Sequence, residues 1–250
     1  MRWPNSSLRF AFIYLFLLST KTLSAQLSGK DSGFYYAAVS QAVNLYHQST
    51  GDQSGLYNGP MYTGYPFRFE SGTPFFDNNS LDTGSILYDG IGYEQIPLLY
   101  ENLKDLVIVM DNGYFIQLNS KKIKAFSIPG HRFIRLDENE KSLKGIRPGF
   151  YELLYNRQFS VLKKTVKQIM DDLSGDNVVQ KLINQSDNYY IRKDSALYDI
   201  RGKKDLYALF PEKKKELQQF VKKNKLNFSD DRGSALVSIV AFYEKIRSPL

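Results

Sequence analysis

The 250-residue chain contains no cysteine, two histidines and one tryptophan. The first absence excludes disulfide staples, thiolate metal centres and a lipid-modified cysteine. The scarcity of histidine leaves few ways to build a transition-metal site, which draws on converging His, Cys and carboxylate groups. His47 and His131 are far apart in the chain. His47 falls near the end of an expected helix, where an imidazole can serve the dipole or face water, and His131 opens a strand after Pro129-Gly130. No metal and no cofactor is expected. Glycine-rich phosphate loops, EF-hand loops and dinucleotide fingerprints are also missing. There is no G-x-S-x-G elbow, and Ser54-Gly55 and Ser71-Gly72 read as turn residues, so no catalytic serine is nominated.

Long apolar runs are missing as well. The longest, Phe10 to Leu18, falls short of the ~20 residues a spanning helix needs. Arg2 and Arg9 precede it, and the polar stretch Ser19 to Thr22 and then Leu23-Ser24-Ala25 follow. A basic start, an apolar stretch of this length and a small residue before the cut describe a secretory signal peptide over residues 1–25. An uncleaved anchor is the alternative. The expectation is an exported protein of the periplasm or the extracellular and outer-membrane-associated space, and not a lipoprotein. Without disulfides, such a chain depends on its core. Residues 26–250 are enough for one domain, and aromatics at 14% supply bulky core material.

The formal charge of +7 includes Arg2, Arg9 and Lys21, so cleavage after Ala25 leaves +4. Residues Arg201 to Lys225 carry nine basic and three acidic side chains, which concentrates the basicity in one segment. Charge blocks of this kind govern anion attraction rather than fold.

Residues 34–48 place Tyr35, Ala38, Ala42, Leu45 and Tyr46 on one helical face, with Asp31-Ser32 before it and Gly51 after it. From 51 to 83 the chain is rich in Gly, Pro, Asn and Ser, yet carries too many aromatics for a disordered linker, and reads as a long ordered loop. From 84 to 200 short apolar runs alternate with turn signals. Asp89-Gly90 and Asn112-Gly113 are hairpin dipeptides, because both central positions of the favoured turn need positive φ. Strands are expected near 85–89, 93–99, 105–110, 114–118, 122–128, 131–136, 150–155, 158–168, 188–193 and 196–200, paired consecutively as an antiparallel meander. The segment 158–168 also satisfies a helical face through Leu162, Val166 and Ile169. Pro97 and Pro129 belong at a bulge, an edge or a strand end. Residues 203–247 read as two to three helices, with Pro211 suited to a first helical position and Asp230 and Asp231 to a helix start. The fold class is α+β: a curved antiparallel β-meander with one N-terminal helix and two to three C-terminal helices.

Three features are candidates for function. Tyr57, Tyr62, Tyr65 and Phe67, interleaved with glycines, could stack on the rings of a glycan or meet an envelope protein; equally, they could pin a long loop to a sheet. Lys213, Lys214, Lys215, Lys222 and Lys223 lie on the polar side of an amphipathic helix, which is either a solvated face or a contact for an anionic membrane surface. Asp89, Glu94, Asp111 and Glu152 are candidates for a hydrolytic carboxylate pair acting on glycan. Asp89 and Asp111 also have a plain role at hairpin turns. Nucleic acid is not expected, since no binding motif appears. The leading expectation is a non-enzymatic binding or scaffolding protein.

The blocks "LYHQSTGDQSGLYNGPMY", "GSILYDGIGYEQIPLLYE", "GHRFIRL", "GFYELLYN", "YYIRKDSALYDI" and "KKKELQQFVKKNKLNFSDD", in this order, are similar to an uncharacterised family of exported proteins from Gram-negative bacteria. The resemblance covers nearly all of the chain after the leader. It implies export and a single domain, and supplies no activity and no catalytic residues.

Overall fold

A computed structural model describes residues 55–137, 146–173 and 179–247, all within one compact unit that spans Tyr46–Leu250. The signal peptide, the helix over 34–48 and His47 lie outside the described residues. Ten strands form one antiparallel sheet: β1 (Asp82–Tyr88), β2 (Ile91–Glu101), β3 (Leu106–Asp111), β4 (Tyr114–Gln117), β5 (Ile123–Ile128), β6 (His131–Leu136), β7 (Gly149–Asn156), β8 (Ser160–Asp172), β9 (Gln180–Lys193) and β10 (Ala196–Asp199). Three helices follow among the described residues: α1 (Lys203–Leu209), α2 (Lys214–Lys223) and α3 (Arg232–Arg247).

Turn chemistry explains most of the hairpins. Asp89-Gly90 and Asn112-Gly113 take positive φ at both residues and join strands whose last and first residues pair directly, Tyr88 with Ile91 and Asp111 with Tyr114. Asp194 and Ser195 do the same between β9 and β10. Pro129-Gly130 turns β5 into β6. Pro97 sits beside a bulge, where Glu94 and Gln95 of β2 face the single Ser85 of β1. This is a place where a missing donor does little harm.

The meander is broken once. The order is β10-β9-β8-β7-β6-β5-β1-β2-β3-β4, so β5 pairs with β1 and not with β4. Two meanders therefore share one ladder. The outer edge of β4 is occupied instead by a segment from the long loop: Met61 bridges to Ile116, Tyr62 N–H donates to the Phe115 carbonyl, and Gln117 N–H donates to that of Pro60.

That segment, residues 59–76, is a strap across the open sheet. After β4 it reaches β9, where Glu70 N–H donates to the Lys181 carbonyl and Ile183 N–H to that of Ser71. It then reaches the end of β2, with Phe76 N–H donating to the Tyr100 carbonyl. Glycines stand at the tight approaches: a Cβ on Gly59 would strike the Gln117 carbonyl, and one on Gly72 would strike the Ile183 side chain. Gly72 also has φ +82.

β8 is a strand along its whole length, although its apolar residues also fit a helix. β9 pairs with it from Ser160↔Arg192 to Asp172↔Gln180. The ladder of β8 with β7 ends at Lys163, and beyond it β8 and β9 continue as a two-stranded ribbon. One core lies between β1–β7 and the strap, where Phe76 packs against a cluster that includes Tyr100, Phe126, Phe133 and Phe150. A second packs β7–β9 on the helices through Phe159, Val161, Ile191, Phe210, Leu236 and Tyr243. Pro211 opens a short 3-10 turn before α2, and the Asp231 carboxylate caps α3 by accepting from Ser234 N–H at 2.9 Å.

Candidate functional site

The aromatic residues of the strap divide between packing and display. Tyr57 is half-buried against the first core. The Tyr62 hydroxyl is buried and finds no hydrogen-bond partner among the described residues; burial, and then the charge of Glu101, push its pKa up to about 12. The Tyr65 hydroxyl donates to Glu101 Oε1 at 3.1 Å, and burial together with that carboxylate raises its pKa strongly. Phe67 is 37% exposed. With Tyr65 and Phe69 it forms a cluster of rings 5.1–5.8 Å apart, flanked by Lys104 over Tyr65 and Lys181 over Phe67. Tyr57, Tyr62 and Tyr65 are thus half-buried, and Phe67 is the exposed member of the four.

Beneath the strap the strands bring together ionisable groups that the sequence reading left apart. His131 and Glu152, on adjacent strands, meet at 2.5 Å, and Lys163, opposite Glu152 in register, lies 2.5 Å from its other oxygen. Against the cost of burial, Glu152 holds the Lys163 ammonium above its usual range. Phe76 closes over this triad, with ring centroids 4.8 Å from His131. A second group is centred on Asp105, which accepts from the Tyr100 hydroxyl at 2.6 Å, Lys164 Nζ at 2.8 Å and Phe150 N–H at 3.2 Å. Burial of Lys164 outweighs that carboxylate and lowers its pKa.

Lys167 differs from both. Its ammonium is buried and donates to the strap carbonyls of Thr73 at 2.9 Å, of Phe75, and of Phe76 at 3.4 Å. Burial lowers its pKa. Glu101, fully buried, accepts from Tyr65 and from Lys104 N–H through Oε1, while Oε2 finds no partner among the described residues. Burial raises its pKa.

The acids singled out for a carboxylate pair sit on separate elements. Asp89 is in the β1–β2 turn, paired with Lys122; Glu94 is exposed at the β2 bulge; Asp111 ends β3; Glu152 is buried between His131 and Lys163. Glu101, Asp105, Lys163, Lys164 and Lys167 were not anticipated. The available signal was six polar residues, three of them lysines, among the apolar ones of "SVLKKTVKQ", most of which lie in the covered first part of β8.

The basic segment is surface. Lys213 is half-buried and pairs with Glu216 at 3.3 Å, whereas Lys214, Lys215, Lys222 and Lys223 are exposed on α2. A groove of about 580 Å³ opens between α1 and the end of α2, lined in part by Lys203, Tyr207, Lys222 and Lys225. Comparison with protein-family models, curated proteins and solved structures finds no match to the chain.

Proposed function

We propose that this is an exported, non-enzymatic binding protein of the bacterial envelope, carried across the membrane on a leader cut after Ala25. A helix over 34–48 precedes a curved sheet, and the partner, an envelope protein, docks on the strap and the neighbouring end of the β8–β9 ribbon. One observation carries this reading. Phe67 of the strap and Met170, Leu173 and Val179 of the ribbon are exposed apolar residues, and the strap hydrogen bonds that join Glu70 to Lys181 and Ser71 to Ile183 hold them in one region. Exposed apolar residues gathered in one place mark interaction surfaces. The non-enzymatic part rests on the partners of the buried ionisable groups, since Glu152, Asp105 and Lys167 each bond to groups that hold strand to strand or strap to sheet.

The test is site-specific photo-crosslinking in intact cells from position 170, with position 198 on the far edge strand as control. A discrete adduct from 170 that disappears with Phe67→Ser is the expected result. Equal labelling from both positions, or turnover of glycosidic, ester or peptide substrates by the purified protein, would contradict the reading. A second reading, peripheral attachment to an anionic membrane surface, is favoured by the exposed lysines of α2. It predicts vesicle binding that weakens with salt and with Lys213→Glu plus Lys222→Glu.

A further inference from the structure

The end of α2 is built in an uncommon way. Lys225 N–H donates to the Lys222 carbonyl at 3.2 Å and Leu226 N–H to that of Val221 at 3.1 Å. This is the pair of bonds that closes a Schellman motif, whose left-handed position is usually glycine or asparagine. Here the residue in that position is Lys225, with φ +51. A side chain with a Cβ is disfavoured at such a φ, and lysine has no short polar group to offset the strain as asparagine does. Helix termination therefore does not explain the choice of residue.

The surroundings of Lys225 supply a reason. It lines the groove with Lys203 from α1 and Lys222 from the last turn of α2. None of the three makes an ion pair with a described residue, no acidic residue lines the groove, and Lys203 rests over the ring of Phe228. Two lysines near the end of α2 would satisfy its dipole, but Lys203 comes from a different helix. Tyr207 and Gln218 add a ring and an amide beside the apolar Val221 and Leu226, and a volume of about 580 Å³ lies within the range of small-molecule sites.

We infer that this groove is a binding site for a phosphate ester carried on a sugar or other polyol, with Lys203, Lys222 and Lys225 around the phosphate and Tyr207 and Gln218 against the hydroxyl-bearing part. The phosphate reaches the groove either on a soluble sugar phosphate or as the headgroup of a lipid. The strap plays no part in this site, so loss of partner cross-linking in Phe67 variants leaves it untouched. It also differs from diffuse attraction over α2, because it assigns different roles to lysines of equal charge.

The experiment is calorimetric titration of the full-length mature protein with a hexose 6-phosphate, the uncharged hexose and inorganic phosphate. In parallel, flotation is run with phosphatidylcholine vesicles with and without phosphatidic acid. Saturable binding of the hexose phosphate, or flotation only with phosphatidic acid, is expected, and the stronger arm identifies the source. Lys222→Gln and Lys225→Gly each weaken that binding by tenfold or more, whereas Lys214→Gln, on the same helix but outside the groove, changes it less than twofold. Lys225→Gly leaves Tm unchanged or raises it, which separates lost affinity from lost folding. Absence of binding in every arm would overturn the inference. So would equal weakening by Lys214→Gln and Lys222→Gln, or a fall in Tm for Lys225→Gly.

Discussion

The ammonium of Lys167 lies 2.9 Å from the carbonyl oxygen of Thr73, joining the middle of a buried strand to a loop more than ninety residues earlier in the chain. Two more strap carbonyls, those of Phe75 and Phe76, share the same donor. The strap thus rests on a buried amine with no carboxylate hydrogen-bonded to it among the described residues.

Lys167→Met removes the donor and strands three carbonyls. Hydrogen bonds to charged groups contribute about 1.5–3 kcal/mol, part of which is offset because the buried charge goes too. A net loss of about 1–2 kcal/mol is expected in denaturant unfolding. The local signature is faster amide exchange at Phe76, Asn102 and Ile183, whose N–H groups pair with or beside the strap, with little change at Val161 and Ile191.

Gly72→Ala attacks the same contact from the other side. The new methyl group would meet Ile183 at a residue whose φ is +82, and the left-handed conformation alone costs a residue with a Cβ about 1–2 kcal/mol. Gly90→Ala, in a turn with φ +82 but open space around it, should lose only that conformational part. Comparing the two unfolding curves isolates the packing of strap on ribbon.

Glu101→Gln is expected to raise stability at neutral pH. Burial raises the folded-state pKa of Glu101, so the folded state holds its proton more tightly than the unfolded chain, and the ionised form is the costly one. Between the unfolded value and the raised one, stability of the wild type increases as pH falls. The gap in Tm between variant and wild type should therefore shrink on acidification through that window. A variant less stable than wild type at pH 7 would contradict this.

Alkaline pH should destabilise the protein through tyrosine. Burial raises the pKa of Tyr62 and Tyr243 to about 12, and those of Tyr65, Tyr100 and Tyr151 as well. A folded-state value above the unfolded one gives stability that is fully present below pH 10 and lost as pH rises towards the folded value. Lys164 and Lys167, with lowered values, act in the opposite direction but are fewer. Absorbance of tyrosinate should show these rings ionising only together with loss of the sheet by circular dichroism.

Much of the sheet could be read locally. Asp89-Gly90 and Asn112-Gly113 fix their hairpins by φ preference alone, and β6 occupies the expected 131–136. The exchange of β5 onto β1 was not legible, since strand adjacency is set by which edge remains free, and the strap had already taken that of β4. The early half of β9, "QKLINQSD", carries too many polar residues to announce a strand; backbone pairing with the far half of β8 holds it. His131 and Glu152 were both noticed, but twenty-one residues apart they gave no hint of contact. Lys167 is a buried cation in a strand, where composition leads one to expect a hydrophobe.

The central claim is that the buried charged groups hold strand to strand and, through Lys167, strap to sheet, while binding belongs to Phe67 and the ribbon end. The most direct test is capture of the cross-linked partner by Phe67→Ser/Met170→Ser/Leu173→Ser and by Lys167→Met, each measured well below its own Tm. The account predicts that the triple variant keeps its Tm within a few degrees and loses the partner, whereas Lys167→Met melts earlier and, with the strap loosened, captures the partner more weakly. A triple variant that still captures the partner, or one that fails to fold, would contradict it.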